Sequence, residues 1–302
     1  MKVDLIFLAN TSNEGVYQMN LDCINSCLDA KQDSDDYTLL IYLIESNASA
    51  DYAYPEMVTV IKPCLPFNFH QFLNIGIQHS SSDWVALCNN DLLFKPGWLT
   101  EIFAVADKYP NFFSFCPIDY NYESTPLCLF PKHVEKFDGY TINQHIAGWC
   151  IVFKRKILHC IGMLDERFDF YFSDNDYAMT LQKYAIQHAL VTGSEVSHLG
   201  KRSTTTAPGL IIPAFWRIFF LTHLRLKKNQ WISSNKKMLT GYYIFHTKWG
   251  STCSIKIRQF LLHHLKYAWL AKILFSNLVN LICSLDVRLS FFFIKKFVYS
   301  PK

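Results

Sequence analysis

An apolar run that ends abruptly in two asparagines and an aspartate is the feature that most restricts how this chain folds. Within Phe67 to Trp98, FNFHQFLNIGIQHSSSDWVALCNNDLLFKPGW, residues Trp84 to Leu87 read as a buried strand, with Asn89, Asn90 and Asp91 close behind. A polar, acid-tipped loop at the carboxyl end of a strand is where an open α/β sheet presents its ligand-binding groups. A carboxylate beside amide oxygens suits a hard divalent cation that keeps several waters and bridges phosphates. The segment ahead of it, with Asn74 and Gly76, reads as a helix, and Pro96, Gly97 and Trp98 open another. The same three polar residues also suit a plain surface turn, since Asn and Asp favour turns through local hydrogen bonds.

The amino-terminal residues supply the rest of such a sheet. Val3 to Leu8, Thr38 to Ile44 and Val58 to Ile61 read as strands and Val16 to Ala30 as a helix. Alternation of this kind implies an α/β fold with a mainly parallel sheet flanked by helices.

A second acidic cluster follows in Gly148 to His198. A strand at Trp149 to Phe153 and a short basic turn lead through Gly162, Leu164, Asp165, Glu166 and Phe168 to Asp174 and Asp176 at the head of a helix. Ser173 with Asp176 fits a capping box and Asp174 favours the helix dipole, so the cluster also reads as a simple helix start. His198 alone is weak evidence for a metal and equally suits a hydrogen-bonded loop histidine. Lys201 to Ser203 is not a phosphate-binding P-loop, because Glu195 stands at the position of its first glycine.

Taken in order, these motifs resemble the family 2 inverting glycosyltransferases of the GT-A (Rossmann-like) fold. In that family an Asn-x-Gly helix precedes a strand ending in Asn-Asn-Asp or Asp-x-Asp, followed by a basic-ended strand, a DE-x-F turn and an ED-x-D helix start. The resemblance covers about residues 1 to 205. It implies transfer of a sugar from a nucleoside diphosphate donor to a glycan or lipid-linked acceptor, with a carboxylate taking the acceptor proton and a metal neutralising the leaving diphosphate. By resemblance Asp174 is the catalytic base, and Asp91 and His198 hold Mn²⁺ or Mg²⁺. Asn10, Thr11, Glu45, Asn74, Asn89, Asn90, Lys201 and Arg202 face the donor, and Trp149 and Asp176 the acceptor. Glu45 stands where an Asp is usual, and a solvated strand end is an equal reading of it.

Charge divides the chain. Residues 1 to 200 hold 12 Lys and Arg against 24 Asp and Glu, whereas residues 201 to 302 hold 17 against one acid, Asp286. The expected organisation is therefore a catalytic domain over 1 to 207 and a helical, basic, apolar region over 208 to 302, with Pro208 and Gly209 at the boundary and a further turn at Lys248, Trp249 and Gly250. Ile211 to Leu221, Phe260 to Leu265 and Phe291 to Ile294 are apolar, and basic helices with apolar faces suit an anionic membrane surface. A packed helical subdomain with a solvated basic face is the other reading. No nucleic-acid motif is present, so nucleic acid is not an expected partner. The apolar run in the first ten residues is too short for a secretory signal, and the ten cysteines contain no Cys-x-x-Cys pair. The expected location is cytoplasmic, peripherally attached to the cytoplasmic face of a membrane. Two further readings stand beside this one: a catalytically inactive membrane-associated scaffold of the same fold, and a nucleotidyltransferase on a related sheet. The latter would ordinarily carry a basic, Gly-rich phosphate loop, and Asn10 to Gly15, NTSNEG, lacks the basic residue.

Overall fold

A computed structural model describes residues 1–33, 35–121, 130–200 and 236–249. The chain divides into two compact units, Met1–Asp169 with Ser173–Ser203, and Phe170–Phe172 with Thr204–Lys302.

The first unit is a mixed α/β structure built on a nine-stranded sheet ordered β3-β2-β1-β4-β8-β6-β9-β5, with β7 also pairing β9. The strands are β1 (Lys2–Ala9), β2 (Thr38–Glu45), β3 (Val58–Ile61), β4 (Trp84–Asn89), β5 (Leu92–Phe94), β6 (Phe112–Ile118), β7 (Lys136–Asp138), β8 (Cys150–Lys154) and β9 (Gln187–His198). The expected mainly parallel pairing is found among β3, β2, β1 and β4 and again between β6 and β9. Between these two groups β8 inserts antiparallel to both β4 and β6, and β5 and β7 pair antiparallel with β9. The helices are α1 (Glu14–Asp29), α2 (Phe69–His79), α3 (Trp98–Lys108), α4 (Leu158–Ile161) and α5 (Ser173–Lys183).

Local chemistry sets the helix starts. Asn13 accepts from the Val16 amide ahead of α1, and Asn68 accepts from the Gln71 amide ahead of α2, which satisfies amides that lack a partner in the first turn. Strand alternation sends Val3, Leu5 and Phe7 into one apolar layer with Cys23, Ile24, Trp98 and Ile102 of α1 and α3. Ile6 and Leu8 enter the opposite layer with Phe72, Ile77, Tyr177 and Leu181 of α2 and α5. Gly76 brings α2 against β1: a Cβ there would lie 2.4 Å from Ile6 Cγ2.

One buried ion pair ties the edge of this sheet where the parallel strands begin. Asp4 on β1 is fully buried, and its carboxylate accepts from Arg155 (2.7 Å), the Ser82 amide (2.7 Å) and the Ser82 hydroxyl (2.7 Å). Arg155, just past β8, also donates to the carbonyls of Ser82 and Ile77 and to the Ser80 hydroxyl. It thereby joins β1, the end of α2, the approach to β4 and the end of β8.

In the second unit the described residues are 170–172 and helix α6 (Lys236–Trp249). Met238, Phe245 and Trp249 of α6 are buried, and the Phe245 ring lies 5.6 Å from that of Phe172. The expected turn at Lys248 and Trp249 is instead the last part of this helix, whose apolar positions continue to Trp249. Among the described residues no helix is long and apolar enough to cross a membrane. Lys201, Arg202, the Pro208 and Gly209 boundary, Gly250 and the apolar stretches at 211–221, 260–265 and 291–294 lie outside the described residues. The seven described cysteines are free thiols, five of them buried.

Arg155→Met leaves the Asp4 carboxylate buried without its countercharge. A loss of about 3 to 5 kcal/mol is expected, the usual cost of breaking a buried ion pair from one side. Urea unfolding measures it, and a midpoint equal to that of the unchanged chain would show that the pair does not brace the sheet.

Candidate functional site

Strand direction gathers the candidate residues on one edge. β1, β2, β4, β6 and β9 all end at the same edge of the sheet, and the antiparallel β8 begins there. Asn10 and Thr11 follow β1, Glu45 ends β2, Asn89, Asn90 and Asp91 close β4, Trp149 precedes β8 and His198 ends β9.

At the centre, Asp91 and His198 meet. Asp91 Oδ1 is buried and makes no hydrogen bond among the described residues, and His198 Nε2 lies 3.3 Å from it. Leu92 is in register with His198 across β5 and β9, and the Leu199 amide donates to the Asp91 carbonyl at 2.9 Å, so backbone pairing fixes this approach. The Trp149 indole stacks on the His198 ring, 5.8 Å between centroids and 18° between planes. The Asn89 amide donates to the Trp149 carbonyl at 2.8 Å.

Asp174 adjoins this cluster through the residue before Trp149. A Cβ on Gly148 would lie 3.0 Å from Asp174 Cβ, tighter than an ordinary contact, so the absence of a side chain there eases the approach of Asp174. Part of Asp174 reaches solvent, but its carboxyl is enclosed, and burial pushes its pKa above the ordinary carboxylate value against the opposing hydrogen bonds from the Asn175 and Asp174 amides. Asp176, one turn into α5, is buried.

Polar contacts hold α5 in place. Tyr177 meets the Ser114 hydroxyl at 2.8 Å, Ser114 meets His188 Nδ1 at 2.8 Å, and His188 Nε2 lies 2.9 Å from the His145 carbonyl oxygen. Because that oxygen is an acceptor, His188 donates through Nε2 and accepts through Nδ1. Burial pushes the His188 pKa down to about 4, so the ring stays neutral and the contacts persist across ordinary pH.

The other end of the edge is a network of amides and hydroxyls. Glu45 is buried, and its carboxylate accepts from the Thr11 amide (3.1 Å), the Thr11 hydroxyl and the Asn47 amide (2.7 Å). Asn20 of α1 donates to the Thr11 hydroxyl (2.8 Å) and to Tyr54 (2.9 Å), and accepts from Asn90 (2.6 Å). Asn10 is exposed. Asn74 is held by other partners: its amide donates to the Leu164 carbonyl and Glu166 (both 2.9 Å) and accepts from the Leu164 amide (3.0 Å), bracing the turn before α5.

The sequence reading did not single out Asn20, Tyr54, Gly148 or Asp119. Asp119 is buried at the end of β6 and accepts from the His198 amide at 2.9 Å. The signals were present: an Asn on the apolar face of α1, and an apolar run, Phe112 to Ile118, closed by an acid in the manner of β4.

Among the described residues no three His, Cys, Asp or Glu side chains cluster as a full metal cage. One carboxylate with an unshared buried oxygen and one imidazole still fit a divalent cation that takes its remaining ligands from water and a diphosphate.

Solved structures share this fold. The Staphylococcus aureus TarS 1-349 structure in complex with UDP-GlcNAc is 14% identical, with a TM-score of 0.50 over 81% of this chain and 70% of that one. S. aureus TarS is 13% identical, with a TM-score of 0.50 over 81% and 42%. No curated protein sequence matches. The family model for Glycosyl transferase family 2 matches residues 12–162, half of the chain, and the protein belongs to that glycosyltransferase family.

Proposed function

We propose that this glycosyltransferase moves a hexose from a nucleoside diphosphate donor to a glycan or lipid-linked acceptor with inversion, in the synthesis of a cell-surface polysaccharide or glycoconjugate. The observation that carries the reading is the adjacency of two unlike groups: the Asp91 and His198 pair and, across Gly148 and Trp149, the enclosed Asp174 carboxyl. Asp91 and His198 would hold Mn²⁺ or Mg²⁺, which when bound neutralises charge on the leaving diphosphate. Asp174 takes the proton of the acceptor hydroxyl as its oxygen attacks the anomeric carbon, and a raised pKa suits a carboxylate to that work. Trp149, next to Gly148, would meet the acceptor, and the family resemblance assigns the buried Asp176 to it as well. Asn10, Thr11, Asn89 and Asn90 would meet the donor, with Glu45 bracing Thr11 and Asn74 bracing the turn before α5; the family resemblance adds Lys201 and Arg202, outside the described residues, as contacts to the diphosphate. The fold shared with a protein crystallised with UDP-GlcNAc makes UDP-sugars the first donors to test.

Asp91→Asn removes the charge that would hold the cation. Titration of UDP into the protein with and without Mn²⁺ should show metal-dependent binding that this variant loses; equal binding by both proteins, indifferent to chelator, would refute the metal role.

Asp174→Asn separates chemistry from stability. Transfer should fall about 10²- to 10⁴-fold, as for loss of a positioned base, while UDP binding persists. In the unchanged protein the rate should drop as pH falls through the raised Asp174 pKa. Stability runs the opposite way. The folded state holds a proton that the unfolded chain releases, so stability is lost as pH rises from the ordinary carboxylate value through the raised one. Above that window Asp174→Asn should therefore melt higher than the unchanged protein, and below it the two should coincide. Retained transfer, with loss in a folded Asp176→Asn, would move the base to Asp176.

The basic third supports attachment to the cytoplasmic face of a membrane, through 17 Lys and Arg against one acid in residues 201–302. Flotation with vesicles containing phosphatidylserine should carry the full chain upward at low salt and less at high salt. Equal recovery with neutral and anionic vesicles would remove the electrostatic part of the reading.

A further inference from the structure

An amide in a helix interior, facing the core, is an unfavourable choice unless every polar atom is used. Asn20 occupies such a place: it is 1% exposed on the face of α1 that also buries Cys23, Ile24 and Cys27. Its side chain meets three separate segments. Nδ2 donates to the Thr11 hydroxyl after β1 and to Tyr54, and Oδ1 accepts from Asn90 after β4. Thr11 in turn donates to Glu45 at the end of β2. One turn along α1, the Cys23 thiol donates to the Asn89 carbonyl at 3.7 Å, a second tie to the same loop.

We propose that Asn20 is the positioning residue that sets the Asn89 to Asp91 loop against the donor end of the site. The proposal rests on the reading of Asp91 as a metal ligand for its functional consequence, but the loop contact itself does not. Asn90 turned onto α1 leaves its neighbour Asp91 to face His198 instead. The Leu199 amide holds the Asp91 carbonyl from that side, and Asn20 holds the adjoining residue from the other. The relay from Glu45 through Thr11 and Asn20 to Asn90 joins the ends of β2, β1 and β4 by side-chain bonds alone. A residue that orients a ligand loop in this way commonly governs metal affinity although it touches no metal.

The test compares Asn20→Ala with Ile24→Ala, which opens a cavity on the same buried face of α1 with no bond to the loop. Hydrogen exchange of the 89–92 amides is measured in both, with calorimetric titration of Mn²⁺ and UDP. Asn20→Ala should speed exchange at 89–92 by about tenfold, the effect of one lost buried hydrogen bond, and weaken Mn²⁺ and UDP binding by roughly 10- to 100-fold. Ile24→Ala should lower the melting temperature and leave both local readouts unchanged. If Asn20→Ala behaves like Ile24→Ala, the residue is ordinary core and the proposal falls. Should Asn20→Ala fail to fold, Asn90→Ala cuts the same bond from its half-buried end, and unchanged exchange there overturns the proposal. If exchange rises but the unchanged protein binds no Mn²⁺ with UDP, the positioning role stands and the metal assignment of Asp91 fails.

Discussion

The buried pair of Asp4 and Arg155 lies at the opposite edge of the sheet from the site, yet it determines what the site contains. β8 runs antiparallel to β4, so anchoring its carboxyl end at Arg155 presents its amino end to the edge where β4 finishes. The resulting register pairs Trp84 with Lys154 and Cys88 with Cys150, and continues to the Asn89 and Trp149 bond. A slip of one residue would turn every β8 side chain to the other face. Trp149 would then leave His198, and Gly148 would leave Asp174. Burying the Asp4 charge fully is costly, and it is sustained because Arg155, which still reaches solvent, supplies the countercharge while Ser80, Ser82 and two carbonyls satisfy the remaining lone pairs and protons.

β1 to β4, β8, the longer helices of the first unit and the polar end of β4 were legible in the sequence because each rests on local signals, whereas the short β5 and β7 and the strand β6 were not read. Val58 to Ile61 is a strand with the expected bounds, and the expected strand at Thr38 to Ile44 gains only Glu45. Apolar runs, Asn caps and the break at Pro96 and Gly97 all act within a few residues. The insertion of β8 between β4 and β6 was not legible, since no local signal states which strand a short apolar run pairs with. The helical reach of α6 to Trp249 was missed for a related reason: Lys, Trp and Gly in succession read as a turn, whereas burial of Trp249 continues the pattern of Met238 and Phe245.

Motif position located the polar residues but not their hydrogen bonds. Glu45 sits at a strand end, where a carboxylate would meet a ligand, but it accepts from Thr11 and Asn47. Asn74 has both donors and its oxygen committed to Leu164 and Glu166, some 90 residues along the chain. These bonds depend on folded proximity, which spacing does not encode. Asn20 is the converse case, a core position filled by an amide, where the departure from the apolar pattern was itself the readable sign.

The two carboxylates of the site are distinguished by what surrounds them rather than by residue type. Asp91 Oδ1 lies buried 3.3 Å from the His198 imidazole and makes no hydrogen bond among the described residues. Asp174 is enclosed, and among the described residues the influences opposing its raised pKa are backbone amides. Burial makes an enclosed carboxylate resist ionisation, whereas one beside an imidazole is suited to sharing a cation with it. Division of labour between similar groups follows from such differences in environment. Here both environments descend from the same stretch of backbone: Trp149 shields the His198 side and Gly148, lacking a side chain, permits Asp174 to close on the other. The placement of β8 therefore sets the geometry of the site and the electrostatic contrast within it together.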